Sequence, residues 1–248
     1  MKKNWAFAWL LFVSFGFSLA IAPFARSVEI NGNEVDPWES FNRKVFRFNE
    51  TLDTHLLKPV AQAYRFVTPG IVDKGVTNMF HNIDDIKTLV YSLLQLKVIK
   101  SARSASRVMF NSTYGLLGFF DIATWFGLER SPEDLGQVLA HWGVGRGYYL
   151  VLPLLGPSTT RDGAGKLVEM MYLEPSIYLV DESVIRYSLT GVKLVDVRAD
   201  LIPKEGLIIG DKYSFVRSSY LQYREFLIND GVVDDPFARE DEDYLDDF

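Results

Sequence analysis

No cysteine occurs in the 248 residues, which excludes disulfides, thiolate metal sites and a cysteine nucleophile. The same absence removes the residue that a bacterial lipoprotein carries at its mature N-terminus. No acyl anchor is therefore expected, and any hold on a membrane must come from the fold or from a retained leader. Histidine is scarce: His55, His81 and His141 stand far apart, outside any H-E-x-x-H spacing, and read as surface or hydrogen-bonded core residues. No Gly-x-Ser-x-Gly elbow is present to carry a lipase or esterase nucleophile. No Gly-x-x-x-x-Gly-Lys loop is present to cradle a nucleotide. The paired acids Asp84-Asp85 and Asp241 to Asp243 read as solvated charge. Neither a catalytic set nor a cofactor is expected.

Basic charge is also in deficit, 26 Lys and Arg against 32 Asp and Glu. Removing Lys2, Lys3 and Arg26 with a leader brings the mature chain to about −9 by side-chain count. That argues against nucleic acid and against electrostatic capture by anionic lipid. Membrane contact would have to be hydrophobic. Apolar residues make up 48% of the chain and aromatics 14%, more than a soluble fold requires.

The apolar material begins at the N-terminus. Lys2 and Lys3 precede an uncharged run from Trp5 to Ala22, a secretory signal pattern. Cleavage after Ala22 would leave Pro23 first, so the Ala25-Arg26-Ser27 triplet is the preferred site. The run also approaches the ~18 residues a membrane span needs, so an uncleaved anchor stays open. The expected organisation is a leader (1–27), one mainly α-helical domain (28–233) and an acidic, solvated tail (234–248), where eight acids oppose Arg239 alone.

Within the domain, Asn31 to Val35 is a polar lead-in. Asp36-Pro37-Trp38-Glu39 reads as a helix start, with Asp36 the cap. Trp38, Phe41, Val45, Phe48 and Leu52 then recur at helical spacing, which predicts a buried aromatic face. Lys58-Pro59 and Thr68-Pro69-Gly70 are read as breaks. Ile71–Phe80 and Ile83–Leu96 are read as two helices parted near His81-Asn82. Val98–Phe110 is read as an amphipathic helix with Lys100, Arg103 and Arg107 on its polar side. Gly115 to Leu128, with Leu116, Leu117, Phe119, Phe120, Trp125 and Phe126, is too short to span a bilayer. It suits a buried helix or a segment in the membrane interface, and these six side chains are the candidates for interface contact.

Ser131-Pro132-Glu133-Asp134 caps a helix to about His141. Gly143-x-Gly145-x-Gly147 precedes an apolar run, Tyr148 to Leu155, that suits short strands or a hairpin. A helix precedes this loop, so a dinucleotide reading fails. Flexible or tightly packed hinge glycines are the better account. Ser158, Thr159 and Thr160 form a cap cluster for a helix through Met171. Pro175–Leu201 favours helix, Pro203–Gly206 is a turn, and Asp211–Leu227 is a last helix ended by Asn229-Asp230-Gly231.

Several of these segments together resemble one family. Asp36-Pro37-Trp38-Glu39-Ser40-Phe41-Asn42-Arg43, with Phe46 and Phe48-Asn49, is similar to the opening of the VacJ or MlaA family. Lys58-Pro59-Val60-Ala61, Phe110-Asn111-Ser112-Thr113 and Gly115 to Asp121 continue the likeness. So do Glu133 to Gln137, the Gly143 to Gly147 loop with Tyr149, Arg161-Asp162, and Arg198 to Leu201. The resemblance runs in order from about Val35 to Gly231. It implies a ring-like helical protein in the inner leaflet of the outer membrane. Such a protein passes mislocalised outer-leaflet phospholipid through an amphipathic channel to a periplasmic lipid-binding carrier, in company with a trimeric porin. Phe41, Asn42, Gly143, Gly145, Gly147, Tyr149, Arg161 and Asp162 are the channel or gating candidates this suggests. The alternative is an outer-membrane scaffold that supports the envelope without passing lipid.

Overall fold

A helical path opens the domain and runs nearly unbroken from Glu39 to Val67: α1 (Glu39–Leu52), a π turn (Asp53–Leu57) and α2 (Lys58–Val67). The computed structural model describes residues 36–173 and 182–232. The leader, the lead-in 31–35, the first residues of the helix expected from Pro175 and the acidic tail lie outside them. Asp36 does not cap α1. Its carboxylate is taken by Asn42, Tyr213 and Arg217, and the helix starts at Glu39 behind Trp38. Pro59 does not break the path either. The Lys58 N–H reaches back five residues to the Asp53 carbonyl. That widened turn accommodates a ring that lacks a donor and would crowd a regular α turn.

Pro69 precedes α3 (Gly70–Leu94), a single helix through His81 and Asn82 where two were expected. The reason is tertiary. Asn82 is buried and its amide donates to Ser112 Oγ at 2.9 Å, so that donor finds a partner without leaving the helix. Gln95 to Lys97 turns the chain into α4 (Val98–Thr113), which packs along α3 more extensively than any other pair of elements.

Gly115–Leu128 is not one helix. It is a compact turn followed by the one-turn α5 (Ile122–Trp125), capped by Asp121 through the Thr124 N–H. Next, α6 (Leu135–His141) is capped by Asp134, not Ser131. Strands β1 (Tyr149–Leu152) and β2 (Gly156–Thr159) form an antiparallel hairpin, with Tyr149 opposite Thr159 and Leu152 opposite Gly156. The expected run Tyr148–Leu155 supplies the first strand and the turn, and the second strand takes Gly156-Pro157 and two residues of the cap cluster. Thr159 caps α7 (Thr160–Val168) through the Asp162 N–H, and a π turn, Glu169–Leu173, follows. The chain continues with α8 (Ser183–Leu201), a 3-10 turn at Ile202–Leu207 in place of a simple turn, and α9 (Lys212–Ile228), capped by Asp211.

The apolar core is small. Tyr149, Val151 and Tyr213 form it, with Val45, Phe46, Tyr220 and Leu221 against them. Edge-on aromatic contacts join it, Phe46 to Tyr213 at 5.5 Å and Tyr149 to Tyr220 at 6.3 Å between centroids. Two asparagines fasten the hairpin to α1. Asn42 donates to the Tyr149 carbonyl and accepts from the Val151 N–H. Asn49, two turns on, does the same for Leu152 and Leu154. Each side chain imitates the missing neighbour strand.

Candidate functional site

The buried faces of α3 and α4 are mostly polar, while many large apolar side chains of the helices are exposed. On α3 the buried face is Gly75, Asn82, Asp85, Thr88, Tyr91 and Ser92; on α4 it is Ser101, Ser104, Arg107 and Asn111. The face of α1 expected to be buried is only partly so: Val45 packs against the core and Leu52 is half-buried, whereas Trp38, Phe41 and Phe48 are exposed and Asn42 is fully enclosed. Phe66 is 91% exposed, and Val90, Leu93 and Leu94 of α3 also face out. Soluble monomers rarely leave large apolar patches uncovered.

Arg107 organises the interior. It is 2% exposed and donates to Asp85 at 2.8 Å, Thr124 at 3.0 Å, Asp121 at 3.1 Å and the Leu128 carbonyl. Burial works to lower the guanidinium's affinity for its proton, but Asp85 and Asp121 hold it above the usual value. Asp84-Asp85 is therefore not solvated charge. Asp85 is 1% exposed and also bonded by Arg130, while Asp84 meets Lys193 at 2.7 Å and Lys87 at 3.0 Å. Nor does Arg107 lie on an outer polar side of α4. A polar stripe at helical spacing was the signal for this network, and it is legible once polar residues are allowed to define the inner face.

A second network ties α9 to α6 and α7. Arg224 donates to Asp162 at 3.0 Å and to Asp134 at 3.0 Å, and the Tyr220 hydroxyl donates to Asp162 at 3.1 Å. Burial alone would raise the Asp162 carboxyl, but Arg224 and Arg161 hold it below the usual range. Gly136 fits only because it has no side chain: a Cβ there would fall 2.6 Å from Asp162 Oδ1. Arg161 bonds Asp162 and, at 3.3 Å, the Val144 carbonyl, so it holds the glycine loop against α7.

The three loop glycines differ. Gly143 (φ 85°) follows α6, where Val144 N–H closes on the Leu139 carbonyl, and a Cβ on it would meet open space. Gly145 is exposed. At Gly147 a Cβ would fall 1.9 Å from Thr160 Oγ1, so that position is packed shut. Of the other channel candidates, Phe41 is exposed, whereas Asn42, Tyr149, Arg161 and Asp162 are buried.

Leu116, Leu117, Trp125 and Phe126 are 67–76% exposed; Phe119 and Phe120 are half-buried. Their turn satisfies much of its own backbone. Gly118 N–H reaches the Asn111 carbonyl at 2.8 Å, Phe120 N–H that of Gly115 at 2.9 Å, and Asn78 donates to the Phe119 carbonyl at 3.1 Å. A non-helical segment needs such bonds to sit in an apolar medium. Among the described residues no helix is long and apolar enough to cross a membrane.

Asp196 on α8 is 2% exposed with no ion pair among the described residues; Thr77 and the Tyr64 hydroxyl are its donors. Burial pushes its carboxyl up against those two bonds, and Asp200 and Asp73 add to the rise. A folded-state pKa above the unfolded value means the native state holds the proton more tightly. Stability from this group is complete below the unfolded pKa and is lost as pH rises through the folded one. Asp196→Asn is therefore expected to raise the melting temperature at pH 7 and to leave it nearly unchanged near pH 4. Equal shifts at both pH values would refute the assignment.

Burial, with Arg130, lowers His81 to about 4, and His55 and His141 are exposed. Among the described residues no group of three or more His, Cys, Asp or Glu is placed to hold a metal ion.

The MlaA lipoprotein family model matches residues 34–227. An uncharacterised protein of Rickettsia bellii is 37% identical over 207 residues, covering 80% of each chain. The intermembrane phospholipid transport system lipoprotein MlaA of Escherichia coli is 33% identical over 204 residues, again 80% of each chain. A solved chain from "Structural basis for maintenance of bacterial outer membrane lipid asymmetry" superposes with a TM-score of 0.67 at 31% identity. It spans 78% of this chain and 98% of that one.

Proposed function

Since this chain belongs to the MlaA lipoprotein family, we propose that it removes mislocalised phospholipid from the outer leaflet of the outer membrane. It passes that lipid to a periplasmic lipid-binding carrier for retrograde transport, and so maintains lipid asymmetry. It does this without catalysis, seated at the periplasmic face of the outer membrane beside a trimeric porin. The observation that carries this reading is the inversion of α1, α3 and α4. Phe41, Phe48, Leu93 and Leu94 face out, while Asn42, Asp85, Thr88, Ser104 and Arg107 face in. An apolar exterior is stable against acyl chains. The polar interior, its charges bonded to one another, holds these helices together without a large apolar core.

The test is transfer. Vesicles carrying the protein and labelled phospholipid are expected to deliver intact lipid to the purified carrier. Release of fatty acid or headgroup would instead make the chain an enzyme. Membrane binding without transfer would leave it a scaffold supporting envelope integrity. In the same reading the loop before the hairpin is a gate. Replacing Gly143 and Gly145 by bulkier residues is expected to change barrier function, measured as detergent sensitivity, at a folding cost of only about 1 kcal/mol at the left-handed Gly143. An intact barrier in a well-expressed double variant would count against the gate.

A further inference from the structure

The turn between α3 and α4 borders a cavity of about 560 Å³ lined by Lys97, Lys100, Arg103, Ser131 and Asp230. Its cations are not evenly committed. Lys100 pairs with Glu133, whose side chain is fully enclosed and also bonded by Gln95 at 2.8 Å. Lys97 and Lys100 both reach the Asp230 carboxylate, at 2.6 and 3.0 Å. Arg103, one helical turn beyond Lys100, is exposed and pairs with no carboxylate among the described residues. The Ser131 hydroxyl, also in the lining, is buried with no hydrogen-bond partner among the described residues. The first turn of the sixteen-residue α4 opens on the same space, and its dipole favours negative charge there.

Asp230 is the loosest member of this set. Its side chain is 45% exposed, and it stands on a left-handed residue (φ 54°) in the turn that ends α9. Its Oδ1 is shared by the two ammonium groups, as a single phosphate oxygen would be. At the rim, Leu96, Val98 and Ile99 are 72%, 67% and 80% exposed. Three cations beside three protruding apolar side chains match one ligand chemistry: a phosphate joined to acyl chains, held where water meets hydrocarbon.

We propose that this cavity binds the phosphodiester of a phospholipid, and that Asp230 holds Lys97 and Lys100 in its absence and yields to it. The proposal rests on the transport reading only in choosing a lipid as the phosphate's carrier. The test is titration calorimetry of the full-length protein with a short-chain phosphatidylglycerol below its micelle concentration. Asp230→Asn keeps a residue that tolerates the left-handed turn and removes the carboxylate that competes for the two lysines, so binding should tighten about tenfold. Arg103→Gln should weaken it about tenfold with the melting temperature unchanged. Two unmoved affinities would overturn the site. Inorganic phosphate binding as tightly as the lipid, or diacylglycerol binding equally well, would overturn the phosphodiester assignment. Loss of binding in Arg103→Gln with lipid transfer still at the wild-type rate would sink this site as part of the route and leave the transport reading standing.

Discussion

Arg107→Met is expected to lower folding stability by about 3–5 kcal/mol, the usual cost of stranding one partner of a buried ion pair. Four groups lose their donor together: Asp85, Asp121, Thr124 and the Leu128 carbonyl. Asp85 suffers most. It is 1% exposed, burial already pushes its carboxyl up, and among the described residues only Arg130, at 3.2 Å, stays with it. Asp121 is cushioned by Asn111 and Thr124. A second change, Asp85→Asn, removes the stranded charge, and the double variant should regain about half of the loss. Denaturant titration of the single and double variants measures both. A loss under about 1 kcal/mol, or no recovery in the double variant, would mean that Arg107 does not organise the interior.

That network also explains what could be read in advance. Local rules are enough for the first strand of the hairpin, for the Thr159 cap of α7, and for the ends of α9 at Asp211 and Asn229. They misled where a long-range partner changes what a residue can bear. His81-Asn82 looked like a break because no sequence rule could place Ser112 beside Asn82. Asp36 looked like a cap because Tyr213 and Arg217, some 180 positions away, could not be seen to claim its carboxylate. Phe41 was a different kind of error. Its spacing was right for a helix face, but the assumption that an apolar face turns inward holds for a protein surrounded by water. In this chain the polar stripe of α3 and α4 marks the inside. Gly143, Gly145 and Gly147 share a spacing, yet only coordinates separate the open left-handed position from the one closed by Thr160.

The Leu116-Leu117 pair permits a prediction in which stability and membrane affinity move in opposite directions. Both residues are left-handed, φ 53° and 59°, and both are about two-thirds exposed or more. A leucine there costs about 1–2 kcal/mol against a residue that accepts this conformation. Water would also favour a polar side chain at both positions. Leu116→Asn with Leu117→Asn should therefore raise the melting temperature. If the turn rests in acyl chains, each leucine contributes roughly 1.5 kcal/mol of apolar burial when the membrane covers it. The double variant should then bind vesicles about a hundredfold more weakly. Flotation on a density gradient reads the second effect and a thermal melt the first. Weaker binding in a less stable protein would be ordinary damage. Unchanged binding in a more stable one would remove this turn from the membrane contact, and the apolar faces of α1 and α3 would have to supply it alone.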